Sequence, residues 1–283
     1  MMPGMSEQGR TGSFRHEGRR LAYTEYGDGP RVVVLLHGLL LSQRMHEPLA
    51  RALAERGNRV ITLDLLGHGR SERPLEPACY SMTLFGQQTI ALLEHLEIEE
   101  AVVLGTSLGA NTALEAAALA PERLRGMVIE MPVLDSALLA CALAFTPLML
   151  ALSVGEPLMR LVQFGARKVP RLPWELDILV DVVRQDPGPG AAVLQGLFFG
   201  RIAPHRAERR ALRTTTLVIG HKRDPVHPFT DAGMLVEELP NGRLLEASSI
   251  IELRVAPERL TSEIAEFIEE CWKPRPARVR RAG

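Results

Sequence analysis

The chain has 283 residues, which is enough for one large domain or two small ones. Hydrophobic residues make up 46% of it and charged residues 24%, a balance typical of globular proteins in water. The formal net charge of −1 gives no bulk attraction to nucleic acid, so nucleic acid is excluded as a predicted partner.

Apolar runs alternate with helical patterns through the first half of the chain. Continuously apolar stretches predict buried strands at residues 32–36, 59–63, 101–104 and 126–131. Apolar spacing predicts helices at residues 45–57 and 81–96 and another directly after Ser107. Such alternation predicts an α/β protein with a mostly parallel sheet and helices on both faces.

The pattern changes in the second half of the chain. Residues 135–205 carry no strand signal and are rich in Leu, Ala, Met and Phe. Strand character returns at residues 214–219, and a last helix is predicted at 257–271, with Pro257 at a favoured helix start. We therefore predict a discontinuous core of residues 14–134 and 206–272, a helical cap of residues 135–205, and disordered ends at residues 1–13 and 273–283.

The compartment is predicted from the cysteines and the first residues. Cys79, Cys141 and Cys271 lie far apart, which gives neither a disulfide framework nor a metal-binding cluster. Residues 1–13 are polar and contain no apolar core of a signal peptide. A cytoplasmic location is therefore expected. Residues 137–154 are nearly all apolar, but they are short for a membrane span and contain Pro147, so no stable membrane insertion is predicted.

A serine stands between a predicted strand and a predicted helix. The sequence Gly105-Thr106-Ser107-Leu108-Gly109 follows the apolar residues 101–104 and precedes the helical stretch 110–118. A strand, a sharp turn at serine and a helix are the context in which G-x-S-x-G forms a nucleophile elbow. Ser107 is therefore the predicted nucleophile.

Three further motifs occur in a fixed order around this elbow. They are HGL at residues 37–39, DLLGHGRS at residues 64–71 and GHKRDPVHP at residues 220–228. With these four motifs the chain resembles the α/β-hydrolase superfamily over about residues 14–272. The resemblance implies that family's mostly parallel twisted sheet, with helices on both faces and a helical cap inserted after the sixth strand.

The resemblance also implies roles for single residues. The backbone N–H groups of Leu39 and Leu108 would bind an oxyanion, and Asp224 would orient an imidazole. The family's order of serine, acid and histidine places the histidine after the final strand. Ile250 occupies that expected position, and no histidine follows His227 in the chain. Because a serine hydroxyl is a poor nucleophile without a base, the usual mechanism does not follow from the fold alone.

Several substitutes for the missing base remain open. His227 lies three residues after Asp224 on the same predicted loop and could reach Ser107. The alternative is that His227 faces solvent and has no catalytic role. His221 is a weaker candidate of the same kind, and Glu252 lies close to the expected position. The last alternative is that Ser107 has no base. By the resemblance, His37 and His68 are expected to hold loops rather than to catalyse.

The predicted cap is dense in large apolar side chains. In the resemblance such a cap lies above the elbow and would line a pocket for an apolar ligand. Packing against the core or a second subunit is the alternative, so a homodimer is left open. The residues are Leu138, Leu139, Leu143, Phe145, Leu148, Met149, Leu150, Leu152, Leu158, Met159, Leu161, Val162 and Phe164.

These observations lead to one predicted function and two alternatives. We predict a hydrolase that acts on an apolar ester or a related carbonyl compound through Ser107, with a non-standard or missing base. A small-molecule binding or sensor protein without turnover, and a lyase or isomerase that uses the same pocket, are the alternatives. None of these readings implies a metal or an organic cofactor.

Overall fold

The computed structural model describes residues 9–274, and its strands form one eight-stranded sheet. The strand order is β1-β2-β4-β3-β5-β6-β7-β8. β2 pairs antiparallel with β1 and with β4, and all other pairs are parallel, so the mostly parallel sheet is confirmed. The strands are β1 (Arg10–His16), β2 (Arg19–Tyr26), β3 (Arg31–Leu36), β4 (Asn58–Asp64), β5 (Ala101–Thr106), β6 (Leu124–Glu130), β7 (Thr216–His221) and β8 (Gly242–Ala247).

Helices cover both faces of this sheet. Buried side chains of α2, α3 and α9 belong to one core cluster, and those of α1 and α11 belong to the other. The α-helices are α1 (Glu47–Glu55), α2 (Met82–His95), α3 (Leu108–Leu119), α4 (Leu138–Ser153), α5 (Glu156–Arg167), α6 (Trp174–Arg184), α7 (Pro187–Phe198), α8 (Arg206–Ala211), α9 (Phe229–Glu238), α10 (Glu252–Val255) and α11 (Glu258–Trp272).

Burial on both faces explains why the central strand β3 is continuously apolar. Val34 and Leu36 belong to the cluster with α2 and α3, whereas Val33 and Leu35 belong to the cluster with α1 and α11. All four side chains are fully buried. Because successive side chains of a strand point to opposite faces, a strand covered on both faces needs apolar residues at every position.

The sheet begins earlier than the sequence predicted. Residues 10–13, expected in a disordered end, are part of β1 and pair with β2 in a hairpin. The turn of this hairpin is Glu17-Gly18, where φ is 49° and 77°, as a tight two-residue connection requires. Phe14 is buried and its ring contacts that of Tyr23. The start of the ordered core therefore moves from residue 14 to residue 10.

The other predictions for the ends fall partly outside the described chain. Lys273, placed in the disordered C-terminal end, accepts a hydrogen bond on its carbonyl from Arg125. Residues 1–8 and 275–283 lie outside the described residues.

Between β6 and β7 the chain forms four long helices, α4 to α7, and no strand in residues 135–205. α4 packs on α7 and α5, and α7 contacts the short 3-10 helix Pro77–Cys79 of the core. The insertion is thus helical, as predicted. Its treatment as a separate cap domain stays a prediction.

Candidate active site

Ser107 lies at a sharp turn between β5 and α3. Its φ of 54° and ψ of −110° are unusual for a residue with a side chain, and such strain persists only where the surroundings hold it. The Ser107 N–H donates to the carbonyl of Glu130 at 2.9 Å, which fixes the turn to the neighbouring strand β6. The predicted strand–turn–helix arrangement is present.

The two glycines of the motif permit this turn to pack. A Cβ added at Gly105 would lie 2.0 Å from the carbonyl oxygen of Gly109. A Cβ added at Gly109 would lie 2.1 Å from the carbonyl oxygen of Leu36 in the adjacent strand β3. Real Cβ contacts do not occur at such distances, so helix α3 can approach the sheet this closely only with glycine at both positions.

His227 joins Ser107 to Asp224. The Ser107 Oγ lies 2.9 Å from His227 Nε2, and His227 Nδ1 lies 2.9 Å from Asp224 Oδ2. Both distances are those of hydrogen bonds. His227 and Asp224 come from the loop between β7 and α9, so they reach the elbow from one strand end. The structure therefore brings the three predicted side chains together.

The carboxylate of Asp224 is held by the same loop. Its Oδ1 accepts hydrogen bonds from the backbone N–H groups of Val226 and His227, at 2.8 and 2.9 Å. Burial raises the pKa of Asp224, but the hydrogen bonds from His227 and Val226 outweigh it and leave the pKa below its usual value. Asp224 is therefore ionised at neutral pH, with Oδ2 directed at the imidazole.

Two backbone amides flank the serine. Leu108 is the first residue of α3, and Leu39 lies in the turn after β3; both line the same cavity as Ser107. Within residues 9–274, neither N–H donates a hydrogen bond to another protein group. The first N–H groups of a helix are left free by its geometry, so Leu108 can donate to an anion. The resemblance implied an oxyanion-binding role for both N–H groups, and that role stays a prediction.

An apolar cavity of about 260 Å³ opens above Ser107. The cap contributes Leu138, Cys141, Ala142 and Phe145 of α4, at the spacing of one helix face, as well as residues of α7. Of the thirteen apolar cap residues singled out in the sequence, Leu138 and Phe145 line this cavity. The other eleven do not, because α4 and α5 turn much of their apolar surface outwards.

The remaining candidates for the base lie elsewhere. His221 donates from Nδ1 to the carbonyl of Ser249 at 2.8 Å and faces Glu130 with Nε2. Glu252 is bound to Arg259 and to the Ser248 N–H. Ile250 lies in the turn after β8 and is 42% exposed. The expectation of an incomplete triad is not supported, because a histidine contacts Ser107 from another loop.

His37 and His68 hold loops, as expected. His37 Nε2 accepts a hydrogen bond from the Leu65 N–H at 3.1 Å, and His68 Nδ1 donates to the Leu66 carbonyl at 3.0 Å. Both rings are fully buried, and burial lowers the pKa of each. They are therefore neutral side chains of the scaffold.

A buried ion pair beneath the elbow was not predicted from the sequence. Glu130, at the end of β6, contacts Arg254 at 2.9 Å and the Thr106 hydroxyl at 2.5 Å. Burial raises the pKa of Glu130, but Arg254 and His221 outweigh it and hold the pKa well below the usual range. The signal available in the sequence was an acidic residue at the end of an apolar strand. This signal does not show which residue forms the ion pair with it. This pair ties the short helix α10, which carries Arg254, to the end of β6 beside the elbow.

Comparison with known proteins identifies the fold. Residues 31–152 match the family described as alpha/beta hydrolase fold. The structure resembles the crystal structure of an enol-lactonase from Burkholderia xenovorans LB400, with a TM-score of 0.75 and 21% identity, over 91% of this chain and all of that one. The protein therefore has the α/β-hydrolase fold.

Two curated relatives illustrate the sequence similarity. The AB hydrolase superfamily protein YisY of Bacillus subtilis is 25% identical over 76% of this chain and 82% of its own length. A putative non-heme haloperoxidase of Mycobacterium phage D29 is 34% identical over 40% of this chain, and the match spans 40% of that relative's length. No group of three or more His, Cys, Asp or Glu residues in the described part of the chain is arranged to hold a metal ion.

Proposed function

We propose that the protein is a serine hydrolase that cleaves an apolar ester or a related carbonyl compound. The observation that carries this proposal is the unbroken contact from Ser107 Oγ through His227 to Asp224, with 2.9 Å at each step. A serine with a positioned base, and a base oriented by a carboxylate, is the arrangement that activates a hydroxyl for acyl transfer.

The proposed reaction begins with proton transfer to His227. Asp224 accepts the Nδ1–H of the ring, which leaves the lone pair of Nε2 directed at the Ser107 hydroxyl. As Oγ attacks the substrate carbonyl carbon, Nε2 takes the hydroxyl proton, and a tetrahedral intermediate forms. The ionised Asp224 stabilises the imidazolium that this step creates.

The amides of Leu39 and Leu108 are the proposed oxyanion donors. In such sites a donor aimed at the developing negative charge contributes about 3–4 kcal/mol to the transition state. Collapse of the intermediate expels the alcohol, which takes its proton from His227. Water then attacks the acyl-serine with His227 again as base, and it releases the carboxylic acid and restores Ser107.

The cavity supports an apolar acyl or alcohol group. Its lining side chains are apolar except for Ser107, Asn111 and the thiol of Cys141. Asn111 is committed to the scaffold, since its side chain donates to the carbonyls of Val133 and Ile202 at 2.7 and 2.8 Å. A substrate would therefore be selected mainly by the size and shape of an apolar group.

The test uses p-nitrophenyl esters of increasing acyl length and a fluorophosphonate probe. Ser107→Ala and His227→Ala should each lower kcat by up to about 10⁶-fold, and the double variant should be no worse than either single one. His221→Gln, whose ring faces Glu130, serves as the matched histidine control and should keep kcat within about tenfold of wild type while Ser107 still reacts with the probe.

The same assays separate the alternatives. No turnover and no labelling by wild-type protein, together with tight binding of an apolar ligand, would favour the binding or sensor function. Turnover that survives Ser107→Ala would favour a lyase or isomerase. Turnover that survives His227→Ala would exclude His227 as the base. A cytoplasmic location and an apolar small-molecule partner remain part of the proposal.

A further inference from the structure

The cap presents an apolar surface to its surroundings. On α4 the side chains of Leu139, Leu143, Leu150 and Val154, the residue after the helix, are 72%, 69%, 53% and 80% exposed. Their spacing places them along one stripe of the helix. On the adjoining helix α5, Leu158, Leu161 and Phe164 are 60%, 66% and 60% exposed. We call these seven residues the cap face.

Such a surface is unusual for a protein that works only in water. Single exposed leucines are ordinary, but a contiguous set on two packed helices marks an interaction site. α4 is apolar on all sides: the opposite face, with Cys141, Ala142 and Phe145, lines the cavity above Ser107. A helix that is apolar all round is normally covered on all sides.

Charge and composition indicate what covers it. The segment Asp135–Ser153 is long and apolar enough to cross a membrane by these two criteria, yet few of its residues are fully buried in the protein. The charged residues of 138–168 are three bases, Arg160, Arg167 and Lys168, and one acid, Glu156. Lys168 lies over the exposed ring of Phe164, with Nζ 4.1 Å from the ring centroid. Apolar side chains bordered by bases suit a bilayer surface with anionic headgroups.

A second copy of the chain fits this face less well. A symmetric pairing would bring Arg160, Arg167 and Lys168 of both copies into one contact region. The acid available there, Glu156, is already bound to Arg160 of its own chain at 2.7 Å. Lipid phosphates would supply the missing negative charge, whereas a second copy would add more positive charge.

We propose that the cap face docks the protein on the surface of an anionic lipid bilayer. The contact is peripheral, because α4 must keep its other face on the cavity and on α7 and therefore cannot be surrounded by lipid. Leucine and phenylalanine side chains enter the boundary of the acyl chains, and the bases lie at the level of the headgroups. This inference does not require Ser107 to be a nucleophile.

Vesicle partitioning tests the proposal. Wild-type protein is mixed with phosphatidylcholine vesicles or with mixed phosphatidylcholine–phosphatidylglycerol vesicles, and the bound fraction is measured by co-sedimentation. Binding should be stronger to the mixed vesicles. Leu143→Ser combined with Leu161→Ser should weaken it by about a hundredfold, since each leucine withdrawn from lipid costs about tenfold.

The controls separate docking from loss of fold. Leu119→Ser combined with Leu244→Ser removes the same atoms from positions of the core that are 44% and 41% exposed, and binding should not change. Arg160→Gln combined with Lys168→Gln keeps the cap face and should reduce the preference for anionic vesicles. Urea unfolding of each variant and hydrolysis of a soluble ester without vesicles are measured separately, so failure of the proposed hydrolase leaves the partitioning result intact.

Three outcomes would overturn the proposal. Wild-type protein could remain in solution with both kinds of vesicle. Both pairs of leucine substitutions could weaken binding equally. Wild-type protein could fail to bind vesicles but form a dimer that the Leu143→Ser and Leu161→Ser substitutions dissociate. The cap face would then be an interface between copies of the chain.

Discussion

Replacing Asp224 by asparagine tests the orientation of His227 without removing the base. In the native chain Oδ1 of Asp224 accepts two backbone N–H groups, and Oδ2 accepts the Nδ1–H of His227. An asparagine oxygen can keep the two backbone hydrogen bonds. Its NH₂ group then faces Nδ1 and donates to it, so the ring proton moves to Nε2 and points at Ser107.

The opposite orientation of the asparagine amide is unfavourable. It would direct the NH₂ group at the N–H groups of Val226 and His227, which lie 2.8 and 2.9 Å from that position. Two partly buried hydrogen bonds would be lost, at a cost of about 1 kcal/mol each. The variant should therefore hold the wrong tautomer, and kcat should fall by about 10⁴-fold, which corresponds to about 5 kcal/mol in the barrier.

The assay is the steady-state hydrolysis of a short p-nitrophenyl ester by wild type, Asp224→Asn and the exposed control Asp28→Asn. The loss should fall on kcat, with KM nearly unchanged, because the cavity is not altered. Fluorophosphonate labelling should slow in parallel. A kcat within tenfold of wild type would show that Asp224 does not orient the base.

Three further predictions concern the scaffold of the site. Gly109→Ala should destabilise the fold by about 1–3 kcal/mol or more in urea unfolding, because its Cβ would meet the Leu36 carbonyl, whereas Gly233→Ala, whose Cβ meets nothing within 4 Å, should not. Arg254→Leu should cost about 3–5 kcal/mol by stranding the buried Glu130 carboxylate, and much of that loss should be recovered when Glu130→Gln is added. Burial lowers the pKa of His46 to about 3, so the unfolded chain binds an extra proton at mildly acidic pH. His46 alone should therefore contribute a fall of about 1.4 kcal/mol per pH unit to the stability as pH drops from about 6 to about 3, and His46→Gln should lack this contribution in urea titrations across that range.

The elbow and the sheet could be predicted because local sequence determines them. Continuous apolar runs mark strands buried on both faces, and the G-x-S-x-G motif marks the elbow by its two glycines. Gly105 is required by a contact with Gly109 nearby in sequence, although Gly109 is required by the distant Leu36 carbonyl. The β1–β2 hairpin was missed because β1 is mostly exposed and both strands carry charged residues that interrupt the apolar pattern. Glu17-Gly18 was the signal that could have found it.

The base could be narrowed down but not chosen from the sequence. His227, His221 and Glu252 were all near the expected region, and the choice depends on how the loop after β7 folds back over the elbow. The sequence also could not predict the direction in which each face of α4 points. An apolar helix without a polar side gives no signal for which residues meet the cavity and which meet the surroundings.

The spacing of Asp224 and His227 has a consequence for how the site could be switched. Both side chains belong to one short loop, and the Asp224 carboxylate accepts hydrogen bonds from the His227 backbone N–H and from its ring. The position of one side chain relative to the other is therefore set by the four residues 224–227 alone. A movement of that loop would take His227 and Asp224 away from Ser107 together. The base and the acid would therefore be in position for Ser107 either both at once or not at all.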